Sequence, residues 1–85
     1  FGRTLAELRK RGLTYRGVLY AGLMIGTAGP KVLEFNCRFG DPETQAILPR
    51  IDGDLIPALL ACAAGTLKDD MIRWRREPCV CIVMA

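Results

Sequence analysis

Apolar residues recur along the chain in changing rhythms, and each rhythm predicts an element. In residues 4–11, Leu5 and Leu8 lie three apart and Glu7 faces Arg11 at i, i+4, the spacing of a helix nearing its end. Gly12 then serves as its stop. Residues 15–25 are rich in β-branched, aromatic and apolar side chains, punctuated by Gly17, Gly22 and Gly26. That pattern predicts a strand whose glycines permit close backbone approach or bending. Thr27-Ala28-Gly29-Pro30 is a turn signal and residues 31–38 a second strand. Together they predict an antiparallel hairpin with a loop of about four residues.

The second strand carries the most information. Side chains alternate between the faces of a strand. Leu33, Phe35, Cys37 and Phe39 share one face; Val32, Glu34, Asn36 and Arg38 share the other. Gly40 breaks the strand. Asp41 is placed to cap a helix, Pro42 suits its first position and Glu43 its first turn, where the helix dipole favours negative charge. That helix runs through Ile47 and ends near Pro49. Asp52-Gly53-Asp54 is a further break, and Asp54 can cap a helix over residues 55–64, with Pro57 tolerated in its first turn. Leu55, Ile56, Leu59, Leu60 and Ala63 form a stripe that reads as core. Gly65 ends this helix. Residues 66–70 look like a linker, 71–74 like a short strand, and the apolar run 79–84 like a buried strand.

Composition sets the class. The chain has 85 residues, 51% of them apolar and 25% charged, which describes a globular chain rather than a disordered one. A self-contained domain of this size buries roughly 60–65% of its unfolded surface. The fold class is α+β. Net charge is +3, too small to argue for a nucleic-acid partner, although basic residues crowd 3–16 and 73–76. No apolar stretch approaches the roughly 20 residues of a membrane span, and no secretory leader is visible. The four cysteines (Cys37, Cys62, Cys79 and Cys81) form no Cys-x-x-Cys pair, and there is no histidine, so a zinc site is not expected. They read as reduced thiols in a cytoplasmic protein. The chain opens at Phe1 and stops at Ala85 within an apolar run, and is expected to be a piece of a longer protein.

Candidate chemistry lies on the polar face of the second strand. Glu34 offers an anionic oxygen and Asn36 an amide oxygen roughly 6–7 Å along the strand. Magnesium favours such hard oxygens, taking one or two carboxylates and completing its shell from phosphates and water. Arg38 continues the row and can clamp a phosphate oxygen. The helix start at Asp41-Pro42 offers free amides to an anion. On spacing alone, a solvated sheet face followed by an ordinary capped helix start accounts for the same residues.

The longer tract Val32-Leu33-Glu34-Phe35-Asn36-Cys37-Arg38-Phe39-Gly40-Asp41-Pro42-Glu43-Thr44-Gln45 resembles the signature of the phosphoribosylamine–glycine ligases, also called glycinamide ribonucleotide synthetases. These are ATP-grasp enzymes of purine synthesis. The Glu-x-Asn-x-Arg portion is similar to ATP-grasp enzymes broadly, and the extension Arg38-Phe39-Gly40-Asp41-Pro42-Glu43 to this family in particular. Residues 15–24, Gly53-Asp54-Leu55, Gly65-Thr66-Leu67, Trp74 and residues 79–85 carry the resemblance over nearly the whole chain, more loosely across 66–78.

The resemblance implies part of an ATP-grasp lobe. Residues 1–69 would be the C-terminal part of the ATP-grasp domain and 70–85 the incomplete start of a C-terminal domain. It implies a ligase that joins glycine to 5-phosphoribosylamine with ATP as co-substrate, and a magnesium or manganese ion held by Glu34 and Asn36. Arg38 would be the catalytic and nucleotide-binding phosphate contact, and Asp41 and Glu43 either shape the substrate pocket or cap the helix. No nucleic acid and no membrane enters this reading. The remainder of the chain is needed to complete the site, so these 85 residues are expected to lack ligase activity alone. Another ATP-grasp carboxylate–amine ligase and a non-catalytic α/β binding module are the competing readings.

Overall fold

The first helix stops where glycine can take the backbone into a conformation other residues avoid. In a computed structural model describing residues 1–85, α1 spans Gly2–Lys10 and Gly12 sits at φ +72°. The Leu13 amide reaches back to the Leu8 carbonyl at 2.9 Å, and the Gly12 amide to the Arg9 carbonyl at 3.0 Å. This paired closure satisfies carbonyls the helix would otherwise leave open. The helix later in the chain, Ile56–Ala64, ends in the same way. There Gly65 lies at φ +76°, Thr66 bonds to Ala61 at 2.8 Å and Gly65 to Cys62 at 3.1 Å.

Between these helices lies the hairpin, with β1 at Tyr20–Gly26 and β2 at Gly29–Asn36. Its turn is tighter than expected, only Thr27 and Ala28 lying between the paired Gly26 and Gly29. Gly29 takes the left-handed conformation at φ +89°, which spares both turn residues a positive φ. The ladder slips once: Gly22 faces Glu34 and Leu23 faces Val32, so Leu33 is the extra residue of a bulge. The first strand also starts later than position 15. Gly17 departs from extended geometry at φ +132°, and the Tyr15 hydroxyl takes the Val18 carbonyl at 2.6 Å.

After the hairpin come α2 at Glu43–Ile47, a 3-10 turn at Leu48–Arg50, and β3 at Ile51–Asp52. Helix α3, Ile56–Ala64, starts where the Asp54 carboxylate accepts the Ile56 amide at 2.9 Å. A 3-10 turn at Asp69–Met71 leads to β4, Arg73–Trp74, which pairs antiparallel with β3. Arg50 and Arg75 extend that ladder: the Arg75 amide bonds to the Arg50 carbonyl at 2.8 Å, and the Arg50 guanidinium to the Arg75 carbonyl at 3.0 Å. The result is an α+β arrangement of two separate two-stranded sheets and three α-helices. No helix is long and apolar enough to cross a membrane. All four cysteines are free thiols.

The interior is slight. Only Gly40 and Ala58 are buried. The elements converge on an apolar groove of about 340 Å³ between Val18, Phe39, Ile47, Ala58, Cys62 and Trp74. Accessible surface is 7312 Å², whereas a self-contained domain of 9.4 kDa exposes about 5,000 Å². The radius of gyration is 15.0 Å against about 12 Å for a compact chain of this length. The burial expected of an independent domain is therefore not reached.

Two expectations fail for identifiable reasons. The stripe on α3 is not core: Ile56, Leu59, Leu60 and Ala63 are exposed, and the inward edge is Ala58 flanked by the half-buried Leu55, Ala61 and Cys62. Its sequence, IPALLACAA, is apolar on every side, so periodicity carries no information about which side faces in. Residues 79–84 form no strand either. Cys79 and Cys81 are half-buried while Val80 and Ile82 stand exposed, so the alternation of a strand is present. No second segment lies beside it to complete a ladder, and backbone groups left without partners stay in solvent.

Candidate functional site

The hairpin's register assembles a polar face. Residues directly opposite in an antiparallel ladder present their side chains on the same side. Tyr20 lies opposite Asn36 and Gly22 opposite Glu34, which puts Tyr20, Glu34 and Asn36 together. The Asn36 amide nitrogen donates to Glu34 Oε1 at 3.0 Å. Gly22 gives Glu34 room to lie across the ladder, since a Cβ there would stand 3.0 Å from Glu34 Cγ. The bulge at Leu33 is what brings Gly22 opposite Glu34.

Arg38 stands apart from this pair. The strand ends at Asn36, the chain bends at Cys37 and Arg38, and the Arg38 guanidinium donates to the Phe39 carbonyl at 2.8 Å. The structure thus brings Glu34 and Asn36 into contact and leaves Arg38 exposed at the rim, tethered to its own loop.

The start of α2 corrects the expectation of an aspartate cap and an anion-binding helix end. Asp41 caps nothing; its carboxylate accepts the Gln45 side chain at 2.7 Å. The Asp41–Pro42 peptide is cis, and the helix begins only at Glu43. Thr44 instead closes the start, its amide bonding to the Gly40 carbonyl at 3.0 Å and its hydroxyl to the same oxygen. The helix has five residues, too few for a strong dipole, and the Glu43 carboxylate already sits in its first turn.

Glu43 and Tyr20 are the residues that sequence reasoning undervalued. The Tyr20 hydroxyl donates to Glu43 Oε1 at 3.0 Å. The buried Gly40 lies against both, a Cβ there coming within 3.0 Å of Tyr20 Cε2 and 3.0 Å of Glu43 Cδ. The hydroxyl of Tyr20 is held above its ordinary pKa, first by the bond to Glu43, then by partial burial and the charges of Glu43 and Glu34, with Arg38 opposing. Tyr20, Glu34, Arg38 and Glu43 therefore share one electrostatic neighbourhood. The available signal was the hairpin itself, which brings Tyr20 to the end of β2; an unbroken count from Gly26 and Gly29 gives Phe35 as its partner, and the Leu33 bulge makes it Asn36. Nothing local links Tyr20 to Glu43, 23 residues away.

The donor set suits a hard divalent cation that takes its other ligands elsewhere. Glu34 and Asn36 provide oxygen donors side by side on an exposed face. The chain gathers no group of three or more His, Cys, Asp or Glu, so phosphates, water or residues outside this segment would complete such a shell.

Comparison with known proteins bears on the same stretch. A family model described as phosphoribosylglycinamide synthetase, ATP-grasp (A) domain, matches residues 1–44, which hold Tyr20, Glu34, Asn36, Arg38 and Glu43. A phosphoribosylamine–glycine ligase of Caldanaerobacter subterraneus is 53% identical over 78 residues, covering 92% of this chain and 19% of its own. A protein of the same name from Synechocystis is 51% identical over 84 residues, 96% of this chain and 20% of its own. The trifunctional purine biosynthetic protein adenosine-3 of Gallus gallus is 51% identical over 84 residues, 98% of this chain and 8% of its own. The chain spans about a fifth or less of the length of these relatives.

Proposed function

The chain belongs to the phosphoribosylglycinamide synthetase ATP-grasp family, and we propose that it supplies the metal- and phosphate-handling face of a phosphoribosylamine–glycine ligase. The observation that carries this reading is the Glu34–Asn36 pair, 3.0 Å apart on the exposed side of β2. A solvated strand face needs no such contact. A carboxylate and an amide held together, with an exposed guanidinium at the rim, suit a cation–phosphate ligand.

In this reading glycine, 5-phosphoribosylamine and ATP give glycinamide ribonucleotide, ADP and phosphate, in purine biosynthesis and in the cytoplasm. The glycine carboxylate oxygen takes the γ-phosphoryl group and ADP leaves. The amine of phosphoribosylamine then attacks the acyl carbon, loses a proton, and phosphate departs. Glu34 and Asn36 would hold a magnesium or manganese ion, which when bound offsets charge on the phosphates as the phosphoryl group moves. Arg38 turns from the Phe39 carbonyl to a phosphate oxygen, an exchange eased by its exposure. No nucleophilic side chain is required.

The segment is then part of an ATP-grasp lobe. Residues 1–69 belong to that domain and 70–85 open a C-terminal domain, with the β3–β4 ladder at the joint. About 2,300 Å² of surface in excess of a self-contained domain supports a larger body around it. The exposed faces of α3 and residues 79–84 are where that body would pack.

The test is Glu34→Ala and Asn36→Ala in the full-length ligase that contains this segment. Each should weaken binding of the metal–nucleotide complex by at least about 10- to 100-fold and lower kcat, with glycine KM little changed. Steady-state kinetics equal to the parent enzyme in both variants would sink the assignment. The 85-residue chain alone should not convert ATP when given glycine and phosphoribosylamine.

A further inference from the structure

We propose that Tyr20 and Glu43 form a positioning pair, locking the Glu34–Asn36 strand face to the start of α2 so that those donors meet a cation in fixed geometry. This rests on the reading of Glu34 and Asn36 as cation ligands.

The Tyr20–Asn36 pair is the last rung of the β1–β2 ladder before the chain leaves the sheet. End rungs fray unless something beyond the ladder holds them. Here the Tyr20 ring spans from that rung to α2, and its hydroxyl donates to Glu43 Oε1 at 3.0 Å. The bond closes residues 37–42 into a loop fastened at both ends, and Arg38 lies within it. Gly40 is buried inside the closure, where a Cβ would stand 3.0 Å from both Tyr20 Cε2 and Glu43 Cδ, tighter than ordinary contact. Only a residue without a side chain lets the aromatic ring and the carboxylate approach as they do.

Simpler roles fit less well. A first-turn acid serving only the helix dipole would point its carboxylate at the free amides of α2, yet Glu43 Oε1 is taken by Tyr20. A tyrosine serving only as packing would need no acceptor for its hydroxyl. Second-tier partners that fix the orientation of metal ligands alter metal affinity by about 10- to 100-fold when removed.

The experiment measures Mn²⁺ affinity of the full-length protein by electron paramagnetic resonance of the free ion, with melting temperature followed in parallel. Tyr20→Phe keeps the ring and deletes the donor; Glu43→Ala deletes the acceptor. Each should weaken Mn²⁺ binding by about 10-fold, and the double variant should be no worse than either single one, because both remove the same bond. Glu43→Gln keeps an acceptor oxygen and should restore most of the affinity. Unchanged Mn²⁺ affinity in both single variants overturns the proposal, as does a lowered melting temperature with affinity intact, which makes the pair a structural tie only. An additive double variant overturns it too. Glu34→Ala, run alongside, separates the two levels. If it weakens Mn²⁺ binding and the pair variants do not, the cation reading stands and the positioning role falls. If Glu34→Ala leaves the affinity unchanged, the cation reading falls and takes the positioning role with it.

Discussion

Residues 20–47 and residues 56–85 draw on much the same stock of apolar residues but are organised by different means. In the first region polar side chains find partners nearby, Asn36 with Glu34 along β2 and Thr44 with Gly40 at the start of α2, and Tyr20 with Glu43 ties β1 to α2. Their partners lie within this chain. Large apolar side chains face outward in both regions, Ile25 at 79% and Leu33 at 65% exposure in the first, Ile82 at 81% and Met84 at 93% in the second, but in the second residues 79–84 pair with nothing. Directional bonds can be completed locally by a few groups. Burial cannot, because it needs a second surface of matching area. The polar half thus displays its chemistry already arranged, while both halves display apolar surface that calls for a cover.

The comparison breaks most readily at Leu60, which is 67% exposed on α3. Leu60→Asp in the 85-residue chain should change stability by less than about 0.5 kcal/mol, as surface substitutions do. In the full-length protein, where the proposed surrounding body covers this face, the same change leaves an unpaired charge in an interface and should cost about 3–5 kcal/mol. Urea unfolding of both forms checks the difference. Equally small losses in the two would show that α3 faces solvent in the whole protein as well.

A smaller effect is expected within the polar half. Gly40→Ala inserts a methyl group between Tyr20 and Glu43, and should cost about 1–3 kcal/mol through crowding. It should also loosen Mn²⁺ binding in the full-length protein. A stable variant with parental metal affinity would mean that the Tyr20–Glu43 closure tolerates more space than the geometry indicates.

These two sites also mark the limits of what the chain declares of itself. The alternation along β2 was enough to put Glu34 and Asn36 on one face, because strand geometry is local. Gly12 and Gly65 were legible as helix stops for the same reason. The Leu33 bulge was not, since it depends on how two strands align. The Tyr20–Glu43 bond was not, since the two residues meet only after the hairpin and the loop have both folded. Asp41 was misread as a cap because its preference for that role is strong, and the backbone start of α2 shifted one residue onward. The stripe on α3 misled because Ile56–Ala64 is apolar all round, and the strand at 79–84 because an apolar run declares its own preference and not its partner.

Next in size is the contact between the segment before β1 and the end of α3. Arg16 donates to the Ala63 carbonyl at 3.0 Å, placing a positive charge at the C-terminal end of α3, where the helix dipole is negative. Gly65 leaves room for it, its φ of +76° being one that L side chains avoid. Gly65→Ala should therefore cost about 1–2 kcal/mol. Arg16→Met, which keeps much of the stem and removes the charge, should cost about 0.3–1 kcal/mol. Thermal melts at low and high salt separate the two effects: the loss at Arg16 should shrink as salt rises, and that at Gly65 should persist.

The smallest expected effect is a titration. The chain has two tyrosines, and both hydroxyls lie above the ordinary value near 10, Tyr15 first through partial burial and then through Cys37, Tyr20 first through its bond to Glu43. Folding thus favours the neutral phenol at each position. The corresponding stability is fully present below about pH 10 and disappears as pH rises through the folded-state values. Ultraviolet difference titration of the 85-residue chain should show tyrosinate forming above pH 10 in buffer and near pH 10 in denaturant. Tyr20→Phe should remove the component tied to residues 20–47, and Tyr15→Phe the one beside Cys37 and Cys62. If the Tyr20 component already titrates near 10 in buffer, the bond to Glu43 is absent from the chain alone, and residues 20–47 depend on the surrounding body as much as residues 56–85 do.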